Sequence, residues 1–250
     1  MNDPRATAAA VKWQIVRLGG GFMISREAKA YSEWTGLQGW GPYMRGRCGV
    51  LGDVDADVVT AAVGFFPPAE VRAAWDSGRG TPAAETMQAY TRVCQEYGRR
   101  KLAGFADADR LAELMEPVAR SADVAGAPLF AGWRALPLPP DGPARVLQLA
   151  HVLRELRGGR HLAAVLATGL TPLEAVLSGG SQLVADGADN ARYFRWPEPY
   201  AEVTDEMRAR RTRAEELTDD LVAPAFAALT DAEADELVAL LDKACAVAFP

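Results

Sequence analysis

The sequence is poor in the residues that most often carry metal and redox chemistry. Its 250 residues include only two histidines and three cysteines. Cys48, Cys94 and Cys245 lie far apart without any C-x-x-C spacing, which disfavours a disulfide framework and a cysteine zinc site. We therefore predict that the cysteines are small core residues of a protein in the reducing cytoplasm.

Positive charge and long apolar runs are also scarce. The net charge is −6, whereas a dedicated nucleic-acid binder normally carries a basic excess that neutralises phosphates. DNA is therefore disfavoured as a partner. No stretch approaches the ~18 uninterrupted apolar residues of a membrane span, so we expect no membrane partner. The first residues lack a basic start followed by an apolar run, so no signal peptide is expected.

What the sequence does contain is helical periodicity, which predicts a mainly α fold. Signals for β-strands are weak, and apolar residues recur at three- and four-residue spacing over most of the chain. Thr230 followed by Glu233 predicts a capping box, and Thr171 before Pro172 predicts another helix start. Asp55 suits the start of a helix over 55–64. The strongest periodic segments are 84–102, 107–120, 144–157, 205–223 and 231–248.

Two parts of the chain follow the same plan in the same order. We therefore predict an internal duplication with two pseudo-repeated helical halves, 1–124 and 125–250, of degenerate winged-helix or helix-turn-helix type. The offset between matches grows along the chain, which places an extra segment at about 158–204 in the second half. The matched stretches are 46–52 with 132–138 and 108–114 with 234–240.

Both histidines fall in one polar motif that spans residues 151–161. On a helix, His151 and Glu155 share a face, and Arg154 flanks them. The pair at 158 and 159 is Gly-Gly, which predicts that the helix ends there and that His161 turns back toward it. A histidine beside a carboxylate is a candidate general base, and the arginine could hold an anionic group.

Two other interpretations of this motif stay open. Two histidines and one carboxylate are the donor set of a facial-triad iron site, provided that all three converge. The alternative is an ordinary ion pair on a helix surface. We assign no metal and leave the cofactor unknown.

Two aromatic clusters are further candidates for a ligand site. Residues 34–47 combine glycines and aromatic rings with two arginines, and residues 193–200 could form a lid or fill a junction. We predict that the first cluster faces the histidine motif from the other half. The catalytic candidates are His151 and Glu155, and the predicted substrate contacts are Tyr43, Arg45, Arg47, Arg154 and His161.

One stretch has the pattern of a helix-turn-helix. It comprises a helix over 161–168, a turn at 169–171 and a second helix over 172–178. A helix that reads DNA needs side chains that reach base edges or phosphates. This second helix has one acidic and no basic residue. The basic run at 208–213 is expected to form ion pairs within its own helix.

Three stretches carry a resemblance to a known family: 43–52 with 65–68, 151–161, and 217–229. Through them the chain resembles an actinobacterial family of helical proteins, helix-turn-helix-like or SalK-like, with distant similarity to MarR regulators. The resemblance implies a two-lobed helical fold with winged-helix ancestry. The acidic balance and the lack of evident wing strands between 179 and 204 argue against DNA binding.

The leading hypothesis is a cytoplasmic protein that binds a small molecule between its two halves. Under this hypothesis the protein could also act as an enzyme of specialised metabolism. The first alternative is a MarR-like transcriptional regulator, and the second is a non-catalytic protein that sequesters a metabolite. The sequence predicts no oligomeric state.

Overall fold

A computed structural model describes residues 3–179, 184 and 186–250. Within these residues the chain forms thirteen α-helices joined by short turns, and no β-strand is present. The mainly α prediction is therefore confirmed. The predicted winged-helix character is not supported by a wing in the described ranges, and part of the stretch where strands were sought, 180–183 and 185, lies outside them.

The helices follow one another closely along the chain. Three 3-10 segments lie among them, Phe22–Ile24, Gly49–Leu51 and Ala223–Ala228. The α-helices are α1 (Pro4–Gly21), α2 (Arg26–Thr35), α3 (Gly41–Cys48), α4 (Ala56–Val63), α5 (Pro68–Ser77), α6 (Ala83–Lys101), α7 (Ala108–Ser121), α8 (Pro128–Arg134), α9 (Gly142–Ala167), α10 (Pro172–Leu177), α11 (Gly187–Tyr193), α12 (Asp205–Val222) and α13 (Asp231–Ala248).

Local sequence signals place the helix starts correctly. The Thr230 hydroxyl accepts from the backbone N–H of Glu233, whose carboxylate reaches back to the Thr230 N–H, as a capping box requires. Thr171 and Glu174 form a second capping box at the start of α10. Asp55 caps α4 through the Asp57 N–H. These ends are predictable because their hydrogen bonds lie within four residues.

Helix α9 is the central element of the fold. It packs against α1, α6, α7, α8 and α12. From Ala144 to Leu156 nearly every α9 side chain is buried, including polar Gln148, His151 and Glu155. A helix that is covered on all sides is a core helix. The main hydrophobic core draws residues from both predicted halves, and the boundary near residue 124 stays a prediction.

The predicted end of this helix at Gly158 and Gly159 is wrong. Helix α9 continues without a break to Ala167. Its flanking turns are anchored by Leu156 on one side and by buried Val165 on the other. A Cβ on Gly159 would lie 2.8 Å from the Ala127 Cβ, so this glycine allows the close approach of a neighbouring loop. Packing at Gly159 and on the flanking turns therefore keeps the helix continuous through the glycine pair.

Among the described residues, no helix is both long and apolar enough to cross a membrane.

We expect opposite effects from two glycine-to-alanine substitutions. Gly158→Ala should raise the free energy of unfolding by about 1 kcal/mol, because Gly158 is interior to a helix with no neighbour within 4 Å of a Cβ. Gly19→Ala should lower it by about 1–3 kcal/mol, because its Cβ would lie 2.4 Å from the Ala150 carbonyl oxygen. Urea titration of both variants measures this. A destabilising Gly158→Ala would contradict the continuous helix.

Candidate functional site

A buried ion pair joins the first aromatic cluster to the histidine motif. Arg47 of α3 donates to Glu155 of α9 from Nε to Oε1 at 2.9 Å and from Nη2 to Oε2 at 2.7 Å. Both side chains are nearly inaccessible, with 9% and 1% exposed. A bidentate pair with this geometry is strong and directional. The predicted approach of Arg47 to the motif is therefore seen in the structure.

Two further side chains complete the coordination of this pair. Arg154 donates from Nη1 to Glu155 Oε1 at 2.9 Å, and Arg47 Nη1 donates to the Tyr43 hydroxyl at 2.8 Å. Glu155 thus accepts three hydrogen bonds. Arg154 is 24% exposed, and Tyr43 is also partly exposed.

Electrostatics keep the carboxylate ionised despite its burial. Burial acts to raise the pKa of Glu155, but the charge of Arg47 and its hydrogen bonds, with Arg154, lower it to about 2. The pKa of Arg47 is raised well above its usual value, because Glu155 outweighs the effect of burial on the guanidinium. Two arginines therefore face one carboxylate, and the centre carries one positive charge in excess.

His151 is fully buried beside the pair and is uncharged. Its Nδ1 lies 3.1 Å from the Gly19 carbonyl oxygen, which can only accept, so Nδ1 carries the hydrogen. Its Nε2 lies 3.7 Å from Glu155 Oε1 and has no hydrogen-bond partner. The rings of Trp133 and Phe22 pack edge-on against it. Burial lowers the pKa of His151 to about 3, and Arg154 and Arg47 act in the same direction against Glu155.

Three unpartnered buried atoms lie around this centre. Ten buried side-chain N or O atoms in the described residues lack a partner, and three of them belong to Tyr31, Tyr90 and His151. The Tyr31 and Tyr90 rings lie 5.2 Å apart, and Tyr90 and His151 both contact Phe22 at 5.1 Å. Unpaired buried polar atoms are rare in native proteins, so three of them in one place mark a candidate site.

The sequence did not indicate the two tyrosines. The Tyr90 hydroxyl is buried and unpartnered, and Arg47 and Arg154 are the cations that act on its pKa, which burial raises well above its usual value. A Cβ on Gly46 would lie 2.5 Å from the Tyr90 ring, so the glycine between the two arginines admits it. A tyrosine on an amphipathic helix carries no signal of its own, and only this packing reveals it.

Arg45 lies apart from Arg47. Residues two apart on a helix point to different sides, and Arg45 reaches Asp53 at 3.0 Å and the Thr81 carbonyl instead. Its guanidinium lies 4.3 Å from the Trp75 ring centre. It is fully buried, with Nε and Nη1 unpartnered. The structure therefore brings Arg47 and Tyr43, but not Arg45, to Glu155.

His161 is also separate from the centre. Ten residues along a continuous helix correspond to ~15 Å, so His161 does not converge with His151 and Glu155 as a facial triad requires. Its Nδ1 lies 2.9 Å from the Thr218 hydroxyl, and Glu215 lies 3.9 Å from its Nε2. Burial, with Arg211, lowers its pKa to about 4. In the described residues no group of three or more histidine, cysteine or acidic side chains is placed to hold a metal.

The two aromatic clusters meet above Tyr43. Trp40 contacts Tyr43, Phe66 and Tyr193, with ring centres 4.9–5.5 Å apart, and Phe194 packs on Phe66 at 4.6 Å. The stretch predicted to form a lid therefore lies on the first cluster. Tyr193 remains 41% exposed, so this aromatic layer runs from the surface to the residue that Arg47 binds.

The helix-turn-helix pattern is present in altered form. The last turns of α9 lead through Gly169, at φ +78°, into α10. The second helix is covered: none of its six residues is exposed, and Val176 and Leu177 pack against Ala191 of α11. The basic run pairs within α12 as predicted, for example Arg211 with Glu215.

The model of a helix-turn-helix family matches residues 12–249, nearly the whole chain. The chain belongs to this helix-turn-helix family. No curated protein matches the sequence. No solved structure matches it either. Membership in the family agrees with the turn between α9 and α10 and with the helical fold.

Replacement of Tyr90 by phenylalanine should stabilise the unliganded protein. The substitution removes a buried hydroxyl that has no partner and leaves the ring packing intact. We expect the free energy of unfolding to rise by about 1 kcal/mol, since an unpaired buried polar group costs about that much. Tyr97→Phe on the same helix is the control. A loss of stability in Tyr90→Phe would mean that the hydroxyl is paired in solution.

Acid should destabilise the protein in two separable stages. Both histidines have folded-state pKa values below 6.5, so the unfolded chain binds more protons and stability falls as pH drops from 6.5. Protonation of Glu155 lowers the stability further, but only between about pH 4.5 and pH 2. We therefore plot the free energy of unfolding against pH. Between pH 6 and 5, His151→Asn and His161→Asn should each reduce the slope of this plot by about 1.4 kcal/mol per pH unit. Denaturant titrations across pH measure this, and an unchanged slope in both variants would contradict it.

Proposed function

We propose that this protein binds a small molecule at a centre formed by Tyr90, His151, Arg154 and the Arg47–Glu155 pair. The observation that carries this proposal is the group of unpartnered buried atoms, among them His151 Nε2 and the Tyr90 hydroxyl, beside an excess positive charge. Each such atom costs stability without a partner. A ligand supplies the missing partners, so the atoms that destabilise the free protein contribute to the affinity of the complex.

The chemistry of His151 favours binding over turnover. A general base works best when its pKa lies near the operating pH, and that of His151 is lowered to about 3. At neutral pH its free Nε2 accepts a hydrogen bond but takes a proton poorly. We therefore assign His151 to ligand contact and Glu155 to positioning the two arginines. A non-catalytic metabolite binder fits this better than an enzyme of specialised metabolism.

Family membership favours a second candidate, a MarR-like transcriptional regulator. The whole-chain match to a helix-turn-helix family supports it. Against direct reading by α10 stand its lack of basic residues and its covered Val176 and Leu177. A recognition helix must present side chains to the major groove. We propose that α10 serves as packing surface in this chain and that the protein acts in the cytoplasm without reading DNA through that helix.

We also propose that the two halves descend from a duplication. In the alignment of the halves, Arg47 corresponds to Trp133 and Arg110 to Glu236. Trp133 Nε1 donates to the Arg47 carbonyl at 2.9 Å, and Arg110 Nη2 donates to Glu236 at 2.7 Å. Corresponding residues touch each other only near a pseudo-twofold axis. Two such contacts support an axis that passes between α3 and α8 and between α7 and α13.

A ligand screen tests the proposed site. Thermal unfolding of the full chain is followed with a panel of organic acids, amines and neutral metabolites, since a ligand of the folded state raises the midpoint. At least one class should raise it, and His151→Asn, which keeps a donor for Gly19 and removes Nε2, should reduce the shift. His161→Asn is the matched control. No shift with any class, or an equal shift in His151→Asn, would refute the site.

A gel-shift assay tests the regulator. Wild-type protein is titrated against its own upstream DNA at low salt. We expect no sequence-specific complex, because α10 has no basic residue and the carboxylate of Glu174 is engaged in the capping box with Thr171. A specific complex that weakens with salt would favour the regulator instead. In that case Glu174→Lys, placed on the half-buried side of α10, should strengthen the complex if α10 reads DNA.

A further inference from the structure

The charges at the α3–α9 centre restrict the chemistry of its ligand. Arg47 and Arg154 contribute two positive charges, and Glu155 contributes one negative charge with both oxygens already engaged. Among the described residues, the salt bridges of Arg47 and Arg154 both go to Glu155, and His151 is neutral. One positive charge at a largely buried position therefore lacks a counterion. A single negative charge on the ligand would offset it, whereas a cation would add to the repulsion.

The unpartnered atoms define the polar groups of that ligand. The Tyr90 hydroxyl can donate, and Arg154 uses one Nη1 contact in the described residues, which leaves N–H groups toward solvent. A carboxylate accepts from such donors, and an arginine fork matches its two oxygens. His151 Nε2 is a bare acceptor and requires a donor. The ligand therefore combines an anionic acceptor with a neighbouring O–H or N–H group.

Aromatic rings define its remaining part. Phe22 and Trp133 pack on the imidazole of His151 with ring centres 5.1 and 4.3 Å away, and Tyr90 packs on Phe22 at 5.1 Å. The layer of Trp40, Tyr43 and Tyr193 extends from Arg47 to the surface. Such walls favour an organic anion with a flat or apolar body over a fully hydrated inorganic anion.

On the basis of the proposed function, we infer that the ligand is a small monocarboxylic acid that carries a hydroxyl or amino group beside an apolar body. Its carboxylate binds Arg154 and Tyr90, and its hydroxyl or amino group donates to His151 Nε2. The acid enters beside Arg154, the exposed member of the centre. No covalent step is involved.

The test uses mandelate as the probe, because it is an aromatic monocarboxylate with an adjacent hydroxyl. Isothermal titration calorimetry of the full chain at constant ionic strength compares mandelate with phenylacetate, mandelamide and inorganic phosphate. We expect mandelate to bind most tightly. Phenylacetate lacks the donor for His151 and should bind about tenfold more weakly. Mandelamide lacks the negative charge, and its affinity should fall at least tenfold below that of mandelate.

Variants assign each contact. Tyr90→Phe and Arg154→Gln should each weaken mandelate about tenfold, and His151→Asn should make mandelate and phenylacetate bind equally. Tyr97→Phe and Arg145→Gln, on the same two helices, are the matched controls and should bind like the wild type. Circular dichroism and unfolding of each variant establish that it is folded.

Three results would overturn the inference. They are equal binding of mandelate and mandelamide, phosphate binding as tight as mandelate, and unchanged mandelate binding in both Tyr90→Phe and Arg154→Gln. If amines or neutral compounds shift the wild-type midpoint through His151 and acids do not, the ligand class is wrong and the proposed site stands. If no class shifts it, the site itself falls.

Discussion

The Arg47–Glu155 ion pair is the contact on which the arrangement of the centre depends. It joins short helix α3 to central helix α9 across 108 residues of sequence. Two ions of this kind cost several kcal/mol each to remove from water, and the pair recovers that cost only through well-aligned hydrogen bonds. Its bidentate geometry, with Tyr43 and Arg154 on the remaining positions, supplies them. Once α3 is fixed against α9, the positions of Gly46, Tyr90 and Trp133 follow.

This constraint also explains why the centre retains unpaired atoms. The backbone of α3 lies close to α6 because Gly46 has no side chain, and Tyr90 fills the contact. The charges of Arg47 and Arg154 both act on its hydroxyl. The acceptor that these arginines share, Glu155, is already occupied by their own hydrogen bonds. His151 is held in one orientation by Gly19 and two aromatic rings, so its Nε2 cannot turn toward another donor. The rigidity that seats the ion pair thus keeps its neighbours unpaired.

The helices and several site residues could be predicted because they depend on nearby sequence. Capping at Thr171 and Thr230 and the sharing of a face by His151 and Glu155 follow from local spacing. The end of α9 could not be predicted, since the helix continues through Gly158 and Gly159 and the packing of Gly159 on Ala127 is encoded by no local pattern. The prediction that His161 turns back toward His151 was wrong for the same reason, because it depended on that helix end. Arg45 and Arg47 look equivalent in the sequence, and only the direction of α3 separates them.

The covered second helix indicates how the family architecture is used in this chain. In a DNA-reading protein the second helix presents side chains to the major groove, whereas here Val176 and Leu177 pack against α11 and α10 has no basic residue. The stretch that covers α10 also carries Tyr193 and Phe194, which lie on the aromatic layer above Tyr43. The segment that contains α11 therefore covers part of α10 and also forms the outer wall of the candidate site.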